Sequence, residues 1–168
     1  DVYKSQRFAI AAACDHAKER LENLPDRFKG AKLYTDYGEM LKDDNVELIS
    51  IATRHPEHVP MALQALEAGK YVNIDKPYAL NNREMAMLAE ADKKYPGKLF
   101  LRHNRRFEAP FQKAMKLIAT GVLGEINTVK LYRSVGYCRR NDWMTMTEFG
   151  GGLFTNWGPH IIDQALQY

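Results

Sequence analysis

Short apolar runs at Val46–Thr53, Tyr71–Ile74 and Lys98–Leu101 are separated by two stretches of helical periodicity, and this alternation is the strongest constraint on the fold. Strands joined through crossover helices lie parallel, and their packing on the sheet is restricted to one hand. The first intervening stretch sets Val59, Ala62, Leu63, Ala65 and Leu66 on one helical face, with Pro60 in its first turn and Gly69 at its end. In the second, Asn81 and Glu84 form a capping box, Met85, Leu88 and Ala89 make an apolar stripe, and Pro96-Gly97 stops the helix. Upstream, the run Phe8–Cys14 reads as a buried strand ending in Asp15 and feeding a charged helical stretch. A further capping box, Asp36 with Glu39, opens a helix before Val46. The fold class expected is α/β with a parallel sheet.

The pattern changes after Arg102. A helix is predicted from Pro110 to Thr120, stopped by Gly121, and a turn at Gly124 leads to a strand over Ile126–Arg133. Val135–Phe149 is polar and aromatic without a period and reads as a loop over a pocket, and Pro159–Tyr168 reads as a helix. A boundary falls within Arg102–Glu108, dividing the chain into residues 1–104 and 105–168.

At 168 residues and 45% hydrophobic, the chain has enough apolar material for a substantial core. Its 24 basic and 21 acidic side chains are dispersed and leave a net charge of only +3, which argues against nucleic-acid binding. No apolar run reaches the length of a membrane span and no signal sequence opens the chain, so a soluble, cytoplasmic protein is expected. Cys14 and Cys138 lack any ligand spacing and read as reduced thiols; no metal site is expected.

Several ordered segments carry a resemblance: A-A-A-C-D at Ala11–Asp15, A-T-R-H-P-E-H at Ala52–His58, A-L-E-A-G-K-Y-V-N-I-D-K-P at Ala65–Pro77, N-R-R-F at Asn104–Phe107, and G-G-G followed by H-I-I-D at Gly150–Asp163. Together they resemble the Gfo/Idh/MocA family of NAD(P)-dependent sugar and polyol oxidoreductases. The resemblance implies a partial Rossmann domain over 1–104 and, over 105–168, the start of an α+β domain with an open, mostly antiparallel sheet. The G-x-G-x-x-G turn that binds pyrophosphate in such folds is missing from the sequence, which is expected to be an internal portion of a longer protein.

By the same resemblance Lys76, in Asp75-Lys76-Pro77, stands where the family's E-K-P lysine sits beside the nicotinamide. An ammonium there stabilises the oxygen that gains negative charge as hydride leaves a carbinol. The family's aspartate and histidine four residues apart align with Asn156 and His160. An imidazole can take the hydroxyl proton, whereas the Asn156 amide can only orient substrate. Asp15 is placed to hold the adenosine ribose, which favours NAD over NADP. Thr53, Arg54 and His58 lie on a loop expected along the cofactor, with His58 equally suited to packing its helix. Asn104 and Arg105 fall at the domain junction, where the resemblance also counts Arg105, with Lys76, Asn156 and His160, among the residues expected to bind substrate. Tyr137, Arg139, Arg140, Asp142 and Trp143 suit a sugar ring, and a solvated loop explains them almost as well.

The function these residues imply is hydride transfer between NAD or NADP and a hydroxyl-bearing carbon of a sugar, inositol or related polyol, in a protein that is a homo-oligomer at full length. Two alternatives stay open: an NAD-dependent glycoside hydrolase or imine-type reductase of the same family, and a non-catalytic fragment or binding module.

Overall fold

The computed structural model describes residues 8–136 and 140–168. Five strands and six α-helices follow in order: β1 (Ala12–Cys14), α1 (Lys18–Glu22), β2 (Lys32–Tyr34), α2 (Tyr37–Leu41), β3 (Leu48–Ile51), α3 (His58–Glu67), β4 (Tyr71–Ile74), α4 (Asn82–Lys94), β5 (Leu99–Leu101), α5 (Ala109–Ala119) and α6 (Leu153–Ala165). All strand pairs are parallel. β1 pairs with β2, and β3, β4 and β5 form a separate sheet in that order.

Two of the helices, α2 and α4, begin where a side chain satisfies a free N–H group. At α4 the Asn81 side chain accepts from the Glu84 amide at 2.9 Å, and the Glu84 carboxylate accepts from the Leu80 amide at 2.7 Å. At α2 only half of the box forms. Asp36 accepts from the Glu39 amide at 2.9 Å, but the Glu39 carboxylate pairs with Lys42 at 2.6 Å.

Alternation along β3 and β4 sends Ile49, Ile51, Val72 and Ile74 into the core against Val59, Ala62, Ala65, Leu66 and Leu88 of α3 and α4. Burying each large aliphatic side chain contributes about 1.5–3 kcal/mol. Ala62 and Ala65, both fully buried, let α3 lie close on the strands. The opposite face carries Ser50, Asn73, Tyr71 and Phe100, with an Asn73-to-Ser50 hydrogen bond at 3.2 Å. The two sheets are tied through polar links. The Asp43 carboxylate accepts from Tyr34 Oη at 2.6 Å while its carbonyl accepts from Lys70 Nζ at 2.9 Å, and Tyr37 Oη donates to the Met61 carbonyl at 2.9 Å.

Three expectations are corrected. The strand predicted over Ile126–Arg133 does not form; this alternating segment has no ladder partner among the described residues, and the described part of 105–168 shows helices and turns without a strand. β2 was not anticipated: Lys32–Tyr34 is only three residues long, too short a run for a period to show. α6 starts at Leu153, well before Pro159, which sits inside the helix. Proline's preference for a first turn misplaces that start.

Candidate active site

The carboxyl ends of β3 and β4 deliver two loops to one place. After β4, Asp75 accepts from the Lys76 amide at 2.9 Å and turns the chain into the Lys76–Pro77 peptide bond, which is cis. The Lys76 side chain then reaches across to α6 and donates to the Asn156 carbonyl at 2.8 Å. Burial lowers the Lys76 pKa; Asp75 opposes this, and the Arg105 and Arg140 guanidiniums add to it.

One turn further along α6, His160 is 6% exposed and its buried Nδ1 has no hydrogen-bond partner. Burial first, then the charges of Lys76 and Arg105, push its pKa down to about 4. Its ring meets Trp157 with centroids 5.8 Å apart, and the same indole carries the Arg105 guanidinium at 4.9 Å. Asn156 points its amide at Met144 Sδ, 3.4 Å away. Lys76, Asn156, His160 and Arg105 thus come together from three segments of the chain.

The loop after β3 closes the next wall. His58 is almost fully buried, with Nδ1 2.8 Å from the Pro77 carbonyl and Nε2 3.1 Å from the Thr53 carbonyl. Both ring nitrogens are occupied, so His58 fixes the loop beside Pro77 instead of facing a ligand. Thr53 Oγ1 lies 3.6 Å from Met61 Sδ, and the exposed Arg54 lies over the Phe149 ring at 4.5 Å. Trp143 packs edge-on against His55 at 4.9 Å. Arg140 and Asp142 pair with each other at 2.6 Å, and Asp142 caps the turn at Met144. Tyr137 and Arg139 lie outside the described residues.

Asp15 stands at the end of β1, in the two-stranded sheet. Burial alone would raise its pKa, but the Ala17 amide at 2.9 Å and the Arg20 guanidinium at 3.3 Å hold it below the ordinary carboxylate value.

Sequence reasoning missed the clamp that sets α6 in place. Arg106 grips the buried Asp163 carboxylate with contacts of 2.6, 2.8 and 3.0 Å, and His103 lies 3.5 Å from the same group. His55 was also passed over; it is buried, and its Nδ1 sits 3.3 Å from the Gly150 carbonyl. The repeated histidine in T-R-H-P-E-H was the available signal. A cleft of about 370 Å³ between Pro77–Leu80 and α6 is lined by His103, Phe154 and Ile162, but not by Lys76 or His160.

Residues 1–103 match the oxidoreductase family model with an NAD-binding Rossmann fold, and residues 111–168 match the GFO/IDH/MocA C-terminal domain. The chain belongs to the Gfo/Idh/MocA oxidoreductase family. Its α/β structure is the Rossmann-like, NAD-binding fold of that family.

The chain is 28% identical to Oxidoreductase P35 of Formosa agariphila, over 99% of this chain and 54% of that protein. It is 25% identical to the myo-inositol 2-dehydrogenase of Thermotoga maritima, over 93% of this chain and 46% of the relative. An NAD-binding protein from Listeria innocua superposes with a TM-score of 0.77 at 27% identity, over 92% of this chain and 45% of the other. The chain therefore spans about half the length of the relatives it matches. No helix among the described residues is long and apolar enough to cross a membrane.

Asp15 and Lys76 stand just past the carboxyl ends of the parallel strands β1 and β4, the side of an open α/β sheet on which ligands bind, and a carboxylate and an ammonium there have the chemistry that a ribose diol and a reacting hydroxyl call for.

Proposed function

We propose that this chain carries the hydride-transfer site of a dehydrogenase acting on a hydroxyl-bearing carbon of a sugar, inositol or related polyol. The observation that carries the reading is the bridge from Lys76 Nζ to the Asn156 carbonyl at 2.8 Å, which puts the ammonium one helical turn from the unpartnered Nδ1 of His160. The inositol dehydrogenase among its relatives supports the substrate class.

A bound NAD(P) would supply the acceptor for the carbinol hydride, or its donor in the reverse direction. The Asp15 carboxylate repels a ribose 2′-phosphate, which favours NAD. Thr53 and Arg54 border the cofactor, while His58 holds their loop. Asp75 and Pro77 set the direction of Lys76. Lys76 donates to the substrate oxygen, and half-burial strengthens that interaction as negative charge develops. His160, neutral at pH 7, receives the hydroxyl proton at Nδ1 in the tautomer protonated at Nε2. The charge building on the substrate raises the basicity of the imidazole during the step. Asn156 orients substrate through its amide and tethers Lys76 through its carbonyl. Trp143 borders the sugar.

The chain divides near residue 104 into a nucleotide-binding part and a substrate part, with the site between them. The full protein is a homo-oligomer that uses the cytoplasmic cofactor pool.

Fluorescence titration of NADH, with a screen of polyols for NAD reduction, tests the reading in the full encoded polypeptide. Lys76→Ala is expected to keep NADH affinity within a few fold and to lose about 10²–10⁴ in kcat. Undiminished turnover in Lys76→Ala would overturn it.

A further inference from the structure

The charges around Lys76 do not balance. Glu108 is shared by two guanidiniums: Arg105 pairs with one carboxylate oxygen and Arg133 with the other, at 2.5 Å. Asp75 is shared between Lys76 and Arg102, the latter 3.8 Å away. The remaining charged pairs facing the site are closed. Arg140 binds Asp142, and Arg106 with His103 binds Asp163. His160 and His55 are neutral at pH 7, and Asn156 adds no negative charge where the family places an aspartate. Four cations, Lys76, Arg102, Arg105 and Arg133, thus face two carboxylates. The oxidised nicotinamide ring brings one more positive charge.

Arg105 is also held in place. Its carbonyl accepts from Gln164 Nε2 at 2.9 Å, so its backbone is fastened to the helix that presents Asn156 and His160. Its guanidinium lies on Trp157, 4.9 Å away, with Nη1 committed to Glu108. The Nε–Nη2 edge makes no hydrogen bond to any described residue, and Nε is buried without a partner. That edge is the planar fork that binds a carboxylate through two parallel hydrogen bonds.

Building on the dehydrogenase reading, we infer that the substrate is an acid: a polyol or sugar carboxylate whose carboxylate binds the free edge of Arg105 while its carbinol lies between Lys76 and His160. Arg105 is then the residue that sets specificity. The anion offsets the surplus positive charge, and the neighbouring Arg133 strengthens its hold without touching it.

The test compares matched acids and neutral compounds in the full encoded polypeptide: gluconate against glucitol, and glucuronate against glucose. Two readouts are taken, kcat/KM with NAD and calorimetric affinity for the NADH-loaded protein. The acid is expected to be favoured about ten- to hundred-fold, the range of a charge-assisted hydrogen bond. Arg105→Gln should bring the acid-to-neutral ratio close to one, and Arg133→Gln should lower it partway by leaving Glu108 to Arg105 alone. Glu108→Gln should raise the ratio, an increase that loss of structure would not produce. No acid preference in either readout, or a ratio unmoved by all three substitutions, overturns the inference. Lys76-dependent oxidation of neutral polyols with that result leaves the dehydrogenase reading standing. Acid binding that depends on Arg105 but gives no turnover would sink that reading, and with it the placement of the carbinol, and keep only the carboxylate contact at Arg105.

Discussion

Protonation of His160 should destabilise the fold, and the size of the loss follows from the burial of the ring. An imidazole moved from 6.5 to about 4 binds its proton more weakly folded than unfolded. The unfolded chain therefore holds more protons between those values, and stability falls as pH falls through that window. The displacement corresponds to a loss of about 2 kcal/mol by pH 5 and about 3 kcal/mol below pH 4. His55 and His103 are displaced in the same direction, so wild type alone does not isolate His160. His160→Gln keeps an amide in the ring's place and removes only this titration. Urea unfolding of both proteins from pH 7.5 to 4.5 should show the wild type losing about 2 kcal/mol more than the variant by pH 5. Parallel profiles would refute the reasoning, as would a titration of the His160 resonances near 6.5 by NMR.

Three further outcomes follow from the same contacts. In Gly151→Ala the new Cβ would lie 2.4 Å from the Met144 carbonyl oxygen and 2.7 Å from the Met146 amide nitrogen, both backbone, so thermal unfolding should show a loss of about 1–3 kcal/mol. Asp163→Ala removes the carboxylate that Arg106 grips while leaving a guanidinium still 43% exposed, so urea unfolding should register about 2–3 kcal/mol, below the cost for a fully buried partner. Asn156→Asp adds a negative charge on the residue whose backbone carbonyl holds Lys76 Nζ and should raise the Lys76 pKa, so the alkaline limb of the pH–rate profile should move up.

The parts of the fold that were legible are those fixed by local chemistry. β4 runs from Tyr71 to Ile74 as the periodicity predicts, because Gly69 ends the helix before it and Asp75-Lys76-Pro77 ends the strand. The caps at Asp36 and Asn81 are likewise readable, since each side chain bonds an amide three residues on. What failed depends on partners distant in sequence. The alternation over Ile126–Arg133 is a strand pattern without a ladder to join, and β2 is held by its pairing with β1 instead of by its own composition. In the site, motif order pointed to Lys76, Asn156 and His160, and the fold brings them within reach of one another. The Arg106–Asp163 clamp joins residues 57 positions apart, and nothing local in either segment announces it. His58 and His55 look alike in sequence; only the carbonyls of Thr53 and Pro77 show that His58 is the loop's anchor.

The central claim is that Lys76 serves the transfer of hydride from a carbinol carbon. A single-turnover reaction of the NAD-loaded full polypeptide with a polyol or polyol acid deuterated at its carbinol carbons tests this directly, with mass spectrometry of the reduced cofactor. The account predicts deuterium on the nicotinamide in wild type and little or none in Lys76→Ala at the same occupancy of cofactor. Reduced cofactor carrying no deuterium, or equal transfer in the two proteins, would contradict it.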